Sequence, residues 1–277
     1  MFKKETIAVD LGGTNLRVAL VKGHKILKFN KVRTPETSRE LIKVMISEIS
    51  KLDSWKVKGI GVASPGPLKN GVIINPPNLP LRNFNLKRVL ERKFRKKVVV
   101  ENDANCVALA ELNYGAGKHY KNFIILTLGT GIGGGVVING ELYKGRENGG
   151  ELGHIIIQDG KDMEYYAGFY GQIRRTKKTF GKELKIIDLL KMKNNSKAKK
   201  SVDETADYLG MGIASLIHAF DPEIVVLAGG VRETGNEFLF KIKKKVRKYL
   251  IFREQTPIVW TKLNEAGVLG AGTLLEK

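Results

Sequence analysis

Runs rich in β-branched and apolar residues open the chain. Residues 5–11, 16–22 and 25–32 are divided by Gly12-Gly13-Thr14-Asn15 and by Gly23-His24, which predicts an antiparallel meander. Thr37 and Glu40 then match a capping box, and Leu41, Val44, Met45, Ile49 and Leu52 recur at helical spacing, predicting a helix. A short buried strand over 57–63 runs into Ser64-Pro65-Gly66-Pro67, and 75–80 forms a Pro-rich loop. Asn85 caps a helix to about Phe94, 97–102 reads as a strand, and 104–114 as a helix that Gly115 ends.

The pattern then restarts. Residues 122–128 form a strand, 129–133 a glycine-rich turn and 134–138 a second strand, and Asn139-Gly140 has the chemistry of a type I′ hairpin turn into 141–143. Each half of the chain opens with strand, Gly/Thr turn and strand, which predicts two related α/β domains. Ser201 and Glu204 form a second capping box before Ala206, Leu209, Ile213, Leu216 and Phe220, the apolar stripe of a long helix. A buried strand over 224–228 delivers Gly229-Gly230. A basic helix over 236–250, a strand over 258–261 and a small-residue-rich helix over 266–275 follow. The Lys-rich stretch 191–200 reads as a mobile loop.

Composition bounds this picture. With 277 residues, 42% hydrophobic, the chain can bury ordinary cores, so disorder is excluded as its main state. Its one cysteine, Cys106, rules out a disulfide framework and zinc bound on several thiolates; it reads as a small core residue. No apolar run approaches a membrane span and no signal core precedes the first strand, so a cytoplasmic protein is expected. The net charge of +20 raises nucleic acid, anionic membrane and phosphorylated small molecules as partners. That charge is concentrated. Residues 161–200 hold 12 basic against 4 acidic residues, and 241–253 hold 7 basic and none acidic.

Four stretches carry candidate chemistry. Asp10-Leu11-Gly12-Gly13-Thr14 places a carboxylate at a strand end before a glycine reversal: either a plain hairpin turn, or a site where backbone N–H groups meet an anion and Asp10 holds hydrated Mg²⁺. Gly129, Gly131 and Gly134 satisfy G-x-G-x-x-G, but Val136-Val137-Ile138 continues as a strand, whereas a dinucleotide fingerprint must open a helix. A second phosphate clamp fits better, and no P-loop motif is present. Asn102-Asp103-Ala104-Asn105 sets a carboxylate between strand and helix, as an N-cap or as an acceptor for the proton of an attacking hydroxyl. Gly150-Glu151-Leu152-Gly153-His154 offers a carboxylate and an imidazole that either bind adjacent sugar hydroxyls or form a solvated turn. His24, His119 and His218 read as packing or surface residues.

Taken in order, residues 10–14, 64–67, 102–105, 129–135, 150–154 and 227–231 resemble the ROK family of sugar kinases and repressors along nearly the whole chain. The resemblance implies an α/β, actin-like or hexokinase-like (ribonuclease H-like) fold of two domains, 1–104 plus 263–277 and 105–262, with ATP and Mg²⁺ in an interdomain cleft. It implies that Asp103 is the general base and that Asn102, Glu151 and His154 bind sugar hydroxyls, with Gly66 and Asn78 shaping the sugar site. Asp10, Gly12, Gly13, Thr14, Asn15, Thr130, Gly131 and Gly133 would arrange magnesium and phosphates, and Gly229 and Gly230 would pack on adenosine. The chain departs from the family in one place. Where ROK members commonly carry Cys-x-Cys-Gly-x-x-Gly-Cys and bind a structural zinc together with the histidine, residues 155–166 contain no cysteine. No structural zinc is therefore expected. Glu164 is expected to keep a sugar-binding role, either as that or as a solvated loop residue, with Tyr165, Tyr166 and Phe169 ordering the loop.

The expectation is an ATP-dependent hexokinase of carbohydrate metabolism acting on the primary hydroxyl of glucose, as a homodimer or higher oligomer. An N-acylhexosamine kinase, for instance for N-acetylmannosamine, is the enzymatic alternative, and a sugar-sensing regulator the non-catalytic one. Only nine residues precede Asp10, too few for the helix-turn-helix of a ROK repressor. Neither nucleic acid nor membrane is an expected partner.

Overall fold

A computed structural model describes residues 4–76, 78–251 and 256–276. Pro77 of the Pro-rich loop, Arg253 at the end of the second basic stretch and Met1 to Lys3 lie outside the described residues.

The first unit spans 1–118, 144–149 and 263–277. Its sheet is built from β1 (Glu5–Leu11), β2 (Asn15–Lys22), β3 (Lys25–Arg33), β4 (Val57–Ser64) and a fifth strand, in the order β3-β2-β1-β4 and then that strand. The α1 helix (Ser38–Leu52) starts where the capping box places it, with the Thr37 side chain accepting from the Glu40 N–H. A two-residue hairpin, β5 (Leu68–Lys69) and β6 (Val72–Ile73), follows the Ser-Pro-Gly-Pro loop. Helix α2 (Leu86–Phe94) is capped by Asn85, and β7 (Lys97–Asn102) is the fifth strand, leading directly into α3 (Asp103–Tyr114). The core of this unit joins Ile7, Val9, Leu16 and Val18 to Leu41, Met45 and Ile49 of α1 and to Leu86 and Leu90 of α2.

The second unit spans 119–143 and 150–262. It repeats the plan with β8 (Phe123–Leu128), β9 (Ile132–Ile138) and β10 (Glu141–Tyr143) as the meander. Asn139 and Gly140 both have positive φ, as a type I′ turn requires. A small hairpin, β11 (Ile156–Gln158) and β12 (Lys161–Asp162), leads into α4 (Met163–Ala167), α5 (Phe169–Phe180), α6 (Ile186–Lys191) and α7 (Ser196–Phe220). Then come β13 (Ile224–Ala228), α8 (Gly235–Tyr249) and β14 (Ile258–Trp260), giving the order β10-β9-β8-β13-β14. In both sheets three antiparallel strands are extended by two parallel ones, the structural form of the internal repeat.

The last helix, α9 (Ala266–Thr273), belongs to the first unit. It lies so close to α3 that a Cβ on Gly270 would stand 1.7 Å from the Cys106 carbonyl oxygen, so glycine is required there. Cys106 is fully buried in that contact. The whole of α3 falls in the first unit.

Within residues 191–200 only 192–195 form a connection, and the rest is helical. Helix α7 begins at Ser196 with Asn195 as its cap, accepting from the Ala198 N–H at 3.0 Å, and Ala198 and Val202 are buried. Ser201, expected to cap, sits buried inside the helix. The Lys-rich composition hides an amphipathic turn whose few apolar residues face the core. Among the described residues no helix is long and apolar enough to cross a membrane.

Candidate active site

Within the first unit the strand β1 delivers Asp10 to a tight reversal. The Gly12 N–H donates to the Asn15 carbonyl at 3.0 Å, and Thr34 pins the turn from β3, its N–H on the Thr14 carbonyl at 3.0 Å and its hydroxyl on the Gly12 carbonyl at 2.6 Å. Gly13 faces Asn78, which has a left-handed backbone (φ 58°): a Cβ on Gly13 would lie 2.9 Å from the Asn78 Cβ. The structure thus sets Asn78 against the Gly12-Gly13 turn. Gly66 also has positive φ (81°), which explains glycine between two prolines.

Asp10 is engaged. Its Oδ2 accepts from the Arg17 Nη1 at 2.9 Å, and the Arg17 Nε is 3.2 Å from the Glu265 carboxylate. Burial pushes the Asp10 carboxyl above its ordinary value, and the Arg17 guanidinium opposes that rise. Among the described residues no group of three metal-binding side chains occurs. A lone carboxylate still fits Mg²⁺, which keeps several waters and takes its other ligands from phosphates.

Asn102, rather than Asp103, caps α3: its Oδ1 accepts from the N–H groups of Ala104 at 2.9 Å and Asn105 at 3.1 Å. Asp103 stands in the first turn, its Oδ1 accepting from the Ala104 N–H at 2.8 Å. With the Asn102 carbonyl oxygen committed to the helix, its NH₂ is the group left to meet a hydroxyl.

Within the second unit the glycine motifs interlock. The Gly129 N–H donates to the Gly131 carbonyl at 3.0 Å, a shorter reversal than its counterpart at Gly12. The Gly150 to His154 segment lies on β9 so closely that a Cβ on Gly153 would be 1.9 Å from the Ile132 carbonyl oxygen, and one on Gly134 would be 2.5 Å from the Gly150 oxygen. Glu151 and Thr130 are exposed, Thr130 on the turn with Gly131 and Gly133 beside it. Gly229 adopts φ 96° against the end of β8, where a Cβ would approach the Leu128 oxygen to 2.3 Å. A cavity of about 400 Å³ opens there, lined by Gly129, Thr130, Gly168, Lys185, Gly230 and Glu233. That volume is within the range of small-molecule sites.

Glu164 is not a solvated loop residue. It lies in α4, and its Oε2 accepts from the Ile132 N–H at 2.6 Å, which locks the helix to the Gly129 to Gly133 turn. The His154 Nδ1 meets the Asp162 Oδ2 at 2.9 Å, and Asp162 caps α4 by accepting from the Tyr165 N–H at 2.7 Å. Tyr166 stacks on Tyr208 with ring centroids 4.5 Å apart, edge-on to Tyr165, and Phe169 meets Tyr170 edge-on at 5.7 Å. The aromatic residues order the segment, and the sequence reading missed their polar partner, Asp162. Its signal was available: an Asp immediately before Met163-Glu164-Tyr165 has capping chemistry.

The chain matches the description of the ROK family over residues 6–277 and belongs to that family. It is 32% identical to a glucokinase of Thermotoga maritima, covering 100% of this chain and 99% of the relative, and 32% identical to a beta-glucoside kinase of Listeria monocytogenes, covering 95% of each. Among solved structures, a ROK family glucokinase from Streptomyces griseus in complex with glucose and AMPPNP superposes with a TM-score of 0.85, at 30% identity over 98% of both chains. The fold is the actin-like, hexokinase-like α/β fold of these kinases.

Proposed function

We propose that the chain is an ATP-dependent hexokinase that phosphorylates the primary 6-hydroxyl of a hexose, with glucose as the preferred sugar. What supports this reading is end-to-end similarity to a glucokinase, together with a carboxylate, Asp103, in the first turn of α3. In the proposed reaction Asp103 takes the proton of the hydroxyl as its oxygen attacks the γ-phosphorus. The bond from that phosphorus to the bridging oxygen breaks, and ADP leaves. The Asn102 amide, Glu151, His154 and Glu164 bind ring hydroxyls, with Gly66 and Asn78 on the loops beside them. The turns at Gly12, Gly13, Thr14 and Asn15 and at Thr130, Gly131 and Gly133 receive phosphates on their N–H and hydroxyl groups. Adenosine occupies the cavity beside Gly229 and Gly230. Asp10 would hold Mg²⁺, which would supply charge neutralisation on the phosphates.

The test is a coupled assay with ATP over glucose, mannose, fructose, N-acetylglucosamine, N-acetylmannosamine and a β-glucoside. Highest kcat/KM on glucose is expected; preference for an N-acylhexosamine moves the assignment to that kinase class. Turnover of none of them overturns the kinase reading in favour of a sugar-sensing regulator. Asp103→Asn is expected to lower kcat at least ~10²-fold with sugar affinity largely kept, and light scattering is expected to show a homodimer or larger.

A further inference from the structure

Glu101 is a carboxylate with no place in the proposed chemistry, yet it is among the few buried charged side chains, at 8% exposure. It is the penultimate residue of β7, directly before Asn102 and Asp103. One of its oxygens ties that junction and the other reaches away from it: Oε1 accepts from the Asn102 N–H at 3.0 Å and from the Asn105 Nδ2 at 3.1 Å, and Oε2 meets the Lys144 ammonium at 3.0 Å. Lys144 comes from 144–149, a segment that leaves the second half of the chain and belongs to the first unit. Asn148 fastens the same segment at its other end, pairing with both backbone groups of Leu68, by 2.9 Å at the N–H and 3.3 Å at the carbonyl.

A buried carboxylate is costly unless its charge is paired and its lone pairs are filled. Here both conditions are met, and by groups that fix the main chain on the N-terminal side of Asp103 and the Asn105 side chain one residue beyond Ala104. Stability alone is a poor reason for the arrangement: Lys144 is half-exposed, and a cation so hydrated adds little to folding. Its geometric effect is specific, because it holds the carboxylate that holds the strand-to-helix junction.

We propose that Glu101, clamped by Lys144, is a positioning residue for Asp103, fixing the junction from which the general base projects. The inference rests on the kinase reading above. Misplacement of a reacting group by about an ångström costs up to ~10²-fold in rate, so the effect should appear in kcat and leave sugar affinity nearly alone.

The experiment measures kcat and KM for the best sugar and sugar Kd by calorimetry in Glu101→Gln, Lys144→Met, Lys144→Arg and the double variant Glu101→Gln/Lys144→Met. Expected are a roughly 10- to 100-fold fall in kcat for Glu101→Gln, a smaller fall for Lys144→Met and recovery in Lys144→Arg. Sugar Kd should stay within about threefold in each, and the double variant should lose no more than Glu101→Gln alone, as members of one unit do. Because Lys144 is at the surface, Lys144→Met should fold even if Glu101→Gln does not. Wild-type kcat in Lys144→Met, or losses that multiply in the double variant, overturns the proposal. If no sugar is turned over, the kinase reading has failed; if Asp103→Asn retains full turnover, the general base is another group; both results are distinct from an inactive Asp103→Asn beside an unaffected Lys144→Met.

Discussion

The His154 imidazole and the Asp162 carboxylate stand 2.9 Å apart, Nδ1 to Oδ2, at the start of α4. The histidine of the family motif has here a side-chain partner, and that partner also caps the helix bearing Glu164. The hydrogen bond to Asp162 raises the His154 pKa, against some opposition from burial, with Glu164 and Glu151 adding to the rise. Burial opposes ionisation of Asp162, but the His154 contact and the Tyr165 N–H outweigh it and hold the carboxyl below its ordinary value.

The contact therefore stabilises in a defined pH window. The His154 contribution is fully present below its unfolded value near ~6.5 and is lost as pH rises through the raised folded value. The Asp162 contribution is present above ~3.9 and is lost as pH falls through its lowered value. Asp162→Asn keeps capping chemistry and removes the charge. Denaturant titrations should show it less stable than wild type by a few tenths to about 1 kcal/mol at pH 5.5, the range for a solvent-screened pair, and by less at pH 8. The His154 pKa from NMR titration should fall in the variant; an unchanged value would contradict the pairing.

Glu164→Ala leaves the Ile132 N–H without its acceptor, which costs about 1–3 kcal/mol when the site stays buried. Amide exchange at Ile132 should accelerate and the KM for ATP should rise. Gly131→Ala should reproduce the effect, since a Cβ there would lie 2.3 Å from the Glu164 Oε2 and displace it. Unaltered exchange in both variants would show that the carboxylate does not order the turn.

The start of α7 separates two capping residues. Asn195→Ala should destabilise by about 1 kcal/mol, measured from the urea midpoint. Ser201→Ala should change it by less than about 0.5 kcal/mol, because the buried Ser201 hydroxyl has no hydrogen-bond partner among the described residues. The reverse order would restore Ser201 as the cap.

Gly270→Ala drives a methyl group into the Cys106 carbonyl oxygen, backbone against helix, where neither side can yield by a rotamer change. A loss of about 1–3 kcal/mol or more is expected, with a lowered melting temperature. A neutral substitution would mean that α3 and α9 do not pack as closely as described.

Strands, their glycine turns and the caps of α1 and α2 were legible because their causes are local: side-chain alternation, Gly and Asn conformations, and a Thr or Asn three residues before the N–H it accepts. The candidate chemistry was legible for the same reason, since Asp10, Asp103 and Glu151 lie in short motifs at element ends. Elements 163–191 were not, because α4 and α6 are short and α5 is basic, and their apolar residues become a core only once α7 lies beside them. The partners of the site residues were equally hidden: Asp162 for His154, Ile132 for Glu164 and Lys144 for Glu101 are separated by 8, 32 and 43 residues.

The charge divides the same way. The sequence by itself determined the net +20 and its concentration in 161–200 and 241–253. Only the tertiary structure decided how much of it stands unpaired. It sets Lys241 against Asp203, and Lys245 and Lys248 against Asp207, so the basic helix α8 lies along acidic positions of α7 that fall just outside the basic windows. Charge is a sum over residues and can be read in one dimension; its compensation depends on distances of a few ångströms between helices distant in sequence, and these exist only after folding.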